Sequence, residues 1–388
     1  VERLQRLHDY LQAEIGQDGY LGAVSLIAID GKIVDLRAYG HSDLARRRPM
    51  RQDDIFRIYS MTKPITSVAA LMLLEEGRIS LSDPISRYLP EFTALQRISG
   101  GTADAPLRVT LQVQPTLRHL LTHTAGFATD ASQHPVAAQL LERAAAESAD
   151  DLAGYVRRVA SAPLAEEPGT HFHYDGVNTQ VLARIVEVVS GQSLEHFLQT
   201  RIFLPLRMQD TGFEVPAARR GRVVDMSTMD EQGRLALADT VSARTPGVRL
   251  NRYDNGAGGL YSTASDYLRF AQMLANGGEL DGVRLLSRKT VDLMMSDHLD
   301  DSDPRLTGPA PGEGFGLGGY VVIDVTARDR LGTLGQFGWS GSASTYFAID
   351  RKERLVAILM AQHLPRDGAN ELPRLSVRFF NLVNQSLP

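Results

Sequence analysis

The chain opens with apolar residues at helical spacing. Leu4, Leu7, Leu11 and Ile15 line one face, which predicts an amphipathic helix over 1–16. The apolar run from Ala23 to Asp30 then reads as a strand, Asp30 and Gly31 as a turn, and Ile33 to Tyr39 as its return, so the pair predicts a hairpin. From Ser60 to Glu76 the pattern is helical again. Ile65, Val68, Ala69, Leu71, Met72 and Leu73 cover most of the circumference, the signature of a buried helix, and Gly77 stops it. Pro64 belongs in the first turn, where its missing N–H would have had no helical partner, so Ser60 falls at or just before the N-terminus.

Residues 80–260 read mainly as helices and loops. Thr116–His123 is a short helix, Ala137–Glu147 an alanine-rich one, and Val177–Ser190 a clear one ended by Gly191; 212–255 is loop-rich. Asp266–Asn276 is again helical. Phe315–Asp324 reads as one glycine-rich β segment, Ala343–Asp350 and Arg354–Gln362 as a second hairpin, and 371–386 as a closing amphipathic helix. The pattern predicts an α/β domain built from both ends of the chain, 1–80 and 262–388, with a mainly helical domain, 81–261, inserted between them and the site in the intervening cleft.

Composition narrows the chemistry. A length of 388 residues suits two lobes or one large mixed domain. A formal charge of -5 and the lack of a basic stripe with interleaved aromatics argue against a nucleic-acid partner; Arg46-Arg47-Arg48 reads as a solvated loop. With no cysteine there is no disulfide, thiolate metal site or cysteine nucleophile. No apolar run has transmembrane length, so no membrane partner is expected. The chain begins at Val1, which leaves a removed leader open, with a cytoplasmic location slightly favoured.

Three stretches carry candidate chemistry. In "IYSMTKP", Ser60 and Lys63 stand at i, i+3 and share a helix face. A serine at a helix N-terminus sits at the positive end of the macrodipole, and burial disfavours the charged form of a lysine, so the pair can act as nucleophile and base. In "HFHYDGVN", the Tyr174 phenol could relay protons beside that pair, or be an interfacial tyrosine bonded to backbone. In "GWSGSAS", small residues let a strand backbone approach a substrate, and the Ser342 N–H could join that of Ser60 as an oxyanion hole; an ordinary tight turn is the alternative.

Other readings are weaker. An α/β-hydrolase would need G-x-S-x-G, which is absent. His119 with His123, or His171 with His173, could ligate zinc, but no acidic motif of known spacing accompanies them, and hydrogen bonding explains the "LLTHT" histidines better. "GFGLGG", Gly314 to Gly319, lacks the strand–turn–helix setting of a nucleotide loop. No metal and no cofactor are expected.

Ser60-Met61-Thr62-Lys63, Tyr174-Asp175-Gly176 and Trp339-Ser340-Gly341 follow the order of the S-x-x-K, Y-x-N and K-T-G motifs. By them the chain resembles the serine β-lactamase and penicillin-binding-protein superfamily. "LLTHTAGF" (Leu120–Phe127) and "GAGGLYSTASDYLRF" (Gly256–Phe270) look like stretches of its class C-like branch. The resemblance implies a β-lactamase-like fold: an antiparallel sheet flanked by the N- and C-terminal helices, with the helical domain inserted.

Two departures are informative. Gly176 replaces asparagine, and Trp339 replaces the lysine or histidine that helps antibiotic-handling members hold a substrate carboxylate. A W-x-G third motif is similar to the family VIII carboxylesterases. The resemblance therefore implies Ser60 as nucleophile, Lys63 as base, Tyr174 as proton relay and the amides of Ser60 and Ser342 as oxyanion donors. Trp339, Gly341 and Phe127 would bind a small ester of short to medium acyl chain. β-Lactamase, D-Ala-D-Ala carboxypeptidase or D-aminopeptidase activity, acyl transfer, and a non-enzymatic sensor role are the alternatives.

Overall fold

The computed structural model describes residues 2–16, 19–127, 129–299, 303–367 and 370–387. The N-terminal helix α1 spans Gln5–Glu14; residue 1 of the predicted span lies outside the described residues. Strand β1 (Gly22–Ile29) turns through Asp30 and Gly31, both at positive φ, into β2 (Lys32–Gly40). Such a pair of left-handed residues matches the twist of the flanking strands, and it is the hairpin the sequence predicts. Short strands β3 (Phe56–Arg57) and β4 (Tyr261–Ser262) pair with each other. Five strands complete the main sheet: β5 (Glu313–Phe315), β6 (Tyr320–Val322), β7 (Phe337–Gly341), β8 (Thr345–Asp350) and β9 (Leu355–Ala361). The sheet is seven-stranded and antiparallel throughout, ordered β5-β6-β7-β8-β9-β1-β2, so the two ends of the chain meet where β9 pairs with β1.

Strand alternation divides the core in two. Val24, Leu26 and Ala28 of β1, with Val356, Ile358 and Met360 of β9, face one cluster; Ala23, Ile27, Leu355, Ala357, Leu359 and Ala361 face the other. The second cluster is closed by Leu7 and Leu11 of α1 and by Phe379, Phe380 and Val383 of the C-terminal helix. The first is closed by helix α2 (Thr62–Glu75), buried at every position from Thr62 to Leu73. A helix apolar nearly all round can be stable only when surrounded, and α2 is.

Helices α3 (Leu117–Leu121), α4 (Pro135–Arg143), α5 (Leu152–Ser161) and α6 (Val177–Ser190) follow. α6 packs on α2 and ends at Gly191 with φ 72, a left-handed stop that favours glycine. Helix α7 (Ala264–Ala275) lies against the sheet, and α8 (Ser376–Asn384) is the closing helix.

Three expectations need correction. Phe315–Asp324 is not one segment. Its glycines turn the chain at 316–319, so β5 and β6 form a hairpin. The predicted Ala137–Glu147 helix starts at Pro135 and gives way after Arg143 to a 3-10 turn at Ala146–Ser148, because Ala145 takes a positive φ of 51. The middle of the chain also contains two small hairpins, Gln96–Gly101 with Pro106–Thr110 and Ser227–Met229 with Leu235–Leu237.

Candidate active site

Ser60 occupies a 3-10 turn, Tyr59–Met61, that feeds directly into α2. The Tyr59 backbone has φ 41, a region that costs a residue with a side chain on the order of 1–3 kcal/mol and persists only where the surroundings impose it. Here they do. The Ile58 N–H donates to the Leu260 carbonyl at 3.0 Å, and the Tyr267 hydroxyl donates to the Met61 carbonyl at 2.9 Å. Gly341, the last residue of β7, lies against the same turn. A Cβ there would stand 2.3 Å from the Ile58 carbonyl oxygen, so only glycine allows the strand end this close. The turn is thus held from three sides, with Ser60 half-buried at the positive end of α2.

Lys63, one turn on and 4% exposed, points back at the serine. Its Nζ donates to Ser60 Oγ at 3.1 Å and to the Ala257 carbonyl at 2.8 Å. That carbonyl belongs to the Gly256–Leu260 segment, which is pinned along α2. Thr66 Oγ1 donates to the Gly256 carbonyl at 2.7 Å, and a Cβ on Gly256 would lie 2.7 Å from that of Ala183. The glycines of "GAGGL" therefore serve close packing that aims one carbonyl at Nζ.

Tyr174 completes the group. Lys63 Nζ sits 4.9 Å above the centre of its ring, within cation–π range. The Trp339 indole N–H donates to the phenol oxygen at 3.0 Å, and the two rings pack 4.8 Å apart. On its other side lies His123, 4.7 Å away and buried. Burial, then the charge of Lys63, holds the His123 imidazole well below its usual pKa, so it stays neutral near pH 7, and its Nδ1 accepts from the Asp175 N–H at 3.4 Å. Asp175 is fully enclosed, and burial pushes its carboxyl up to about 6 against the pull of Asn178, whose backbone and side-chain N–H groups both donate to Oδ1 at 3.0 Å, and of Lys63. Its Oδ2 has no partner among the described residues.

The structure thus brings Ser60, Lys63, Tyr174, Trp339 and Gly341 together. Ser342 follows in the turn 342–344, exposed, directly beyond the last paired residue of β7. Phe127 is not brought into the group. It is buried and meets Phe92 edge-on, 6.2 Å between ring centres. The histidines of "LLTHT" act as hydrogen bonders, as expected: His119 Nδ1 accepts from the Thr116 N–H in a capping box that starts α3. Among the described residues no group of three or more His, Asp or Glu side chains is arranged to hold a metal ion.

Sequence reasoning missed the Ala257 carbonyl, His123 and Asp175. The run "GAGG" was a usable signal for a close backbone approach. Asp175 carried none, since its burial depends on elements far along the chain.

The sequence profile of the Beta-lactamase family matches residues 7–378. Protein Rv1367c of Mycobacterium tuberculosis is 36% identical over 355 residues, 89% of this chain and 86% of its own. Esterase EstB of Burkholderia gladioli is 30% identical over 359 residues, 88% of this chain and 85% of its own. In three dimensions the chain is similar to EstCE1, described as a hydrolase with promiscuous acyltransferase activity, with a TM-score of 0.79 at 23% identity over 99% of this chain and 98% of that one. That likeness is one of fold.

Proposed function

The chain belongs to the Beta-lactamase family, and from that premise we propose that it is a serine carboxylesterase acting on small esters through an acyl-enzyme. Ester hydrolysis or acyl transfer is supported within the family by an esterase relative that aligns over most of this chain. The observation that carries the finer reading is the Lys63 ammonium nitrogen, 3.1 Å from Ser60 Oγ and fixed there by the Ala257 carbonyl.

In this reading Ser60 Oγ attacks the ester carbonyl and passes its proton to Lys63 Nζ. The oxyanion is held by the backbone N–H groups of Ser60 and Ser342. The leaving alkoxide receives a proton through Tyr174 and Lys63, and water then attacks the acyl-enzyme by the reverse relay. The Trp339 N–H donates to the phenol oxygen, which leaves the phenol's own proton directed elsewhere and lowers the cost of a passing negative charge on that oxygen. Trp339 also stands where antibiotic-handling relatives carry a cation, which favours esters over β-lactams. The same acyl-enzyme permits transfer to an alcohol acceptor.

Comparing kcat/KM for p-nitrophenyl butyrate and for nitrocefin tests the proposal. Rapid ester cleavage with slow or absent lactam cleavage is expected. Ser60→Ala should lose at least about 10⁴-fold, since nucleophile and base act as a unit, and Tyr174→Phe about 10²–10⁴-fold. Lactam cleavage that rivals ester cleavage would favour the β-lactamase alternative, and an active Ser60→Ala would remove the nucleophile.

A further inference from the structure

A cavity of about 410 Å³ opens beside Lys63, bounded by Tyr59 on the nucleophile's turn and by the Ala257 segment. The sequence suggests an apolar binding pocket made by Trp339 and Phe127, yet neither lines this space, and much of its wall is polar. One wall is a chain of hydroxyls. Tyr59 OH pairs with Ser242 Oγ at 3.1 Å, and Ser242 Oγ pairs with Thr240 Oγ1 at 3.1 Å. That wall is rigidly backed, because the buried Arg57 guanidinium donates to the Ser242 carbonyl at 2.6 Å and to the Val224 carbonyl at 2.9 Å. Across from it, Glu147 accepts from the Tyr253 hydroxyl at the cavity edge.

The floor is α6. Gly176 and Gln180 are four residues apart, one helical turn, and both line the cavity. Gly176 has φ -82, which any residue adopts, and a Cβ there would meet only Ala257 at an ordinary 3.7 Å, so the missing side chain leaves open space rather than relieving strain. Gln180 is 2% exposed, and its Oε1 is buried with no hydrogen-bond partner among the described residues. A buried amide oxygen without a donor costs about 1–3 kcal/mol, so a native chain keeps one where something else supplies the donor.

We propose that this cavity is a subsite for a hydrogen-bond-donating group, a hydroxyl or an N–H, on one half of the substrate ester, recognised by Gln180 Oε1 with the Ser242 hydroxyl opposite. The inference rests on Ser60 being the nucleophile, and it names the class of ester the enzyme prefers. Gln180 and the Glu147 carboxylate are acceptors and the hydroxyl wall can act as either, so the unmet demand in the cavity is for donors. A plain alkyl chain would displace water from these groups and leave them unpaired, which discriminates against it.

Two matched pairs locate the donor: p-nitrophenyl butyrate against p-nitrophenyl 3-hydroxybutyrate for the acyl half, and ethyl butyrate against 2-hydroxyethyl butyrate for the alcohol half. The readout is the ratio of kcat/KM within each pair. Wild type should prefer the hydroxylated member of one pair by about three- to tenfold, the worth of one neutral hydrogen bond. Gln180→Met, close in length and without hydrogen-bonding atoms, should bring that ratio to about one, whatever happens to the absolute rates. Ser242→Ala, on the opposite wall, should lower the same ratio and serves if the helix variant fails to fold. Absence of a preference in both pairs, or a preference that survives in both variants, overturns the subsite while the Ser60 assignment stands. If no ester is turned over, or Ser60→Ala turns esters over as wild type does, both fall together.

Discussion

The side chain beside the proton relay with the largest unmet electrostatic cost is Asp175. Its carboxyl is pushed up to about 6 chiefly by burial, and one oxygen lacks a partner. In the unfolded chain it titrates near 3.8, so between about pH 4 and pH 6 the folded state holds a proton that the unfolded state has lost, and stability falls as pH rises through that window. The cost at neutral pH is on the order of 3 kcal/mol for a shift of about two units. Asp175→Asn should therefore raise Tm at pH 8 and give a much smaller gain at pH 4.5, read by thermal unfolding of both proteins at both values. A larger gain at the acid end would mean that the ionised carboxylate is a favourable partner of Lys63. The residue scale is also where the sequence was easiest to read. Ser60 and Lys63 needed only helix spacing and Pro64 to be found. Asp175 and His123 were hidden because their roles come from what surrounds them.

At the scale of elements, the site is a junction. The turn at Tyr59–Met61 is left-handed at Tyr59 and would relax if its neighbours withdrew, and the end of β7 is one of those neighbours. Gly341→Val would place a Cβ 2.3 Å from the Ile58 carbonyl oxygen and 2.3 Å from Thr345 Oγ1, below any contact a real Cβ makes. The strand end must then lift from the nucleophile's turn. Overpacking of this kind costs about 1–3 kcal/mol, and a displacement near 1 Å costs about 10²-fold in rate, so kcat/KM should collapse while Tm falls only a few degrees. A variant with normal kcat/KM would show that the strand end does not position the turn. Helix α6 and the first hairpin were legible because their stops are local: Gly191, and the Asp30–Gly31 turn. The β5–β6 hairpin was not, because "FGLGG" has the composition of a strand as well as of a turn. Only pairing of Phe315 with Tyr320 tells them apart.

For the whole molecule, the sheet separates a catalytic side from a supporting one. α1 and α8 close the second core, and neither carries a residue of the site. Phe379 is fully buried there. Phe379→Ala should cost about 3–5 kcal/mol by leaving a cavity, seen as a lower urea midpoint. The kcat of the folded fraction at 20 °C should stay near wild type, and a matching loss of kcat would mean that the two faces of the sheet are coupled. The sequence by itself determined the elements whose signals are local: the end helices, the two hairpins around the junction of β1 and β9, the buried helix α2, and the Ser60–Lys63 pair on its first turn. Only the tertiary structure decided which oxygen holds Lys63, which indole holds Tyr174, and that the space beside them is lined with acceptors. Those facts join residues 63 to 257, 174 to 339 and 59 to 242. Periodicity reports the environment of a segment, whereas a contact between distant segments exists only once the sheet has closed around both ends of the chain.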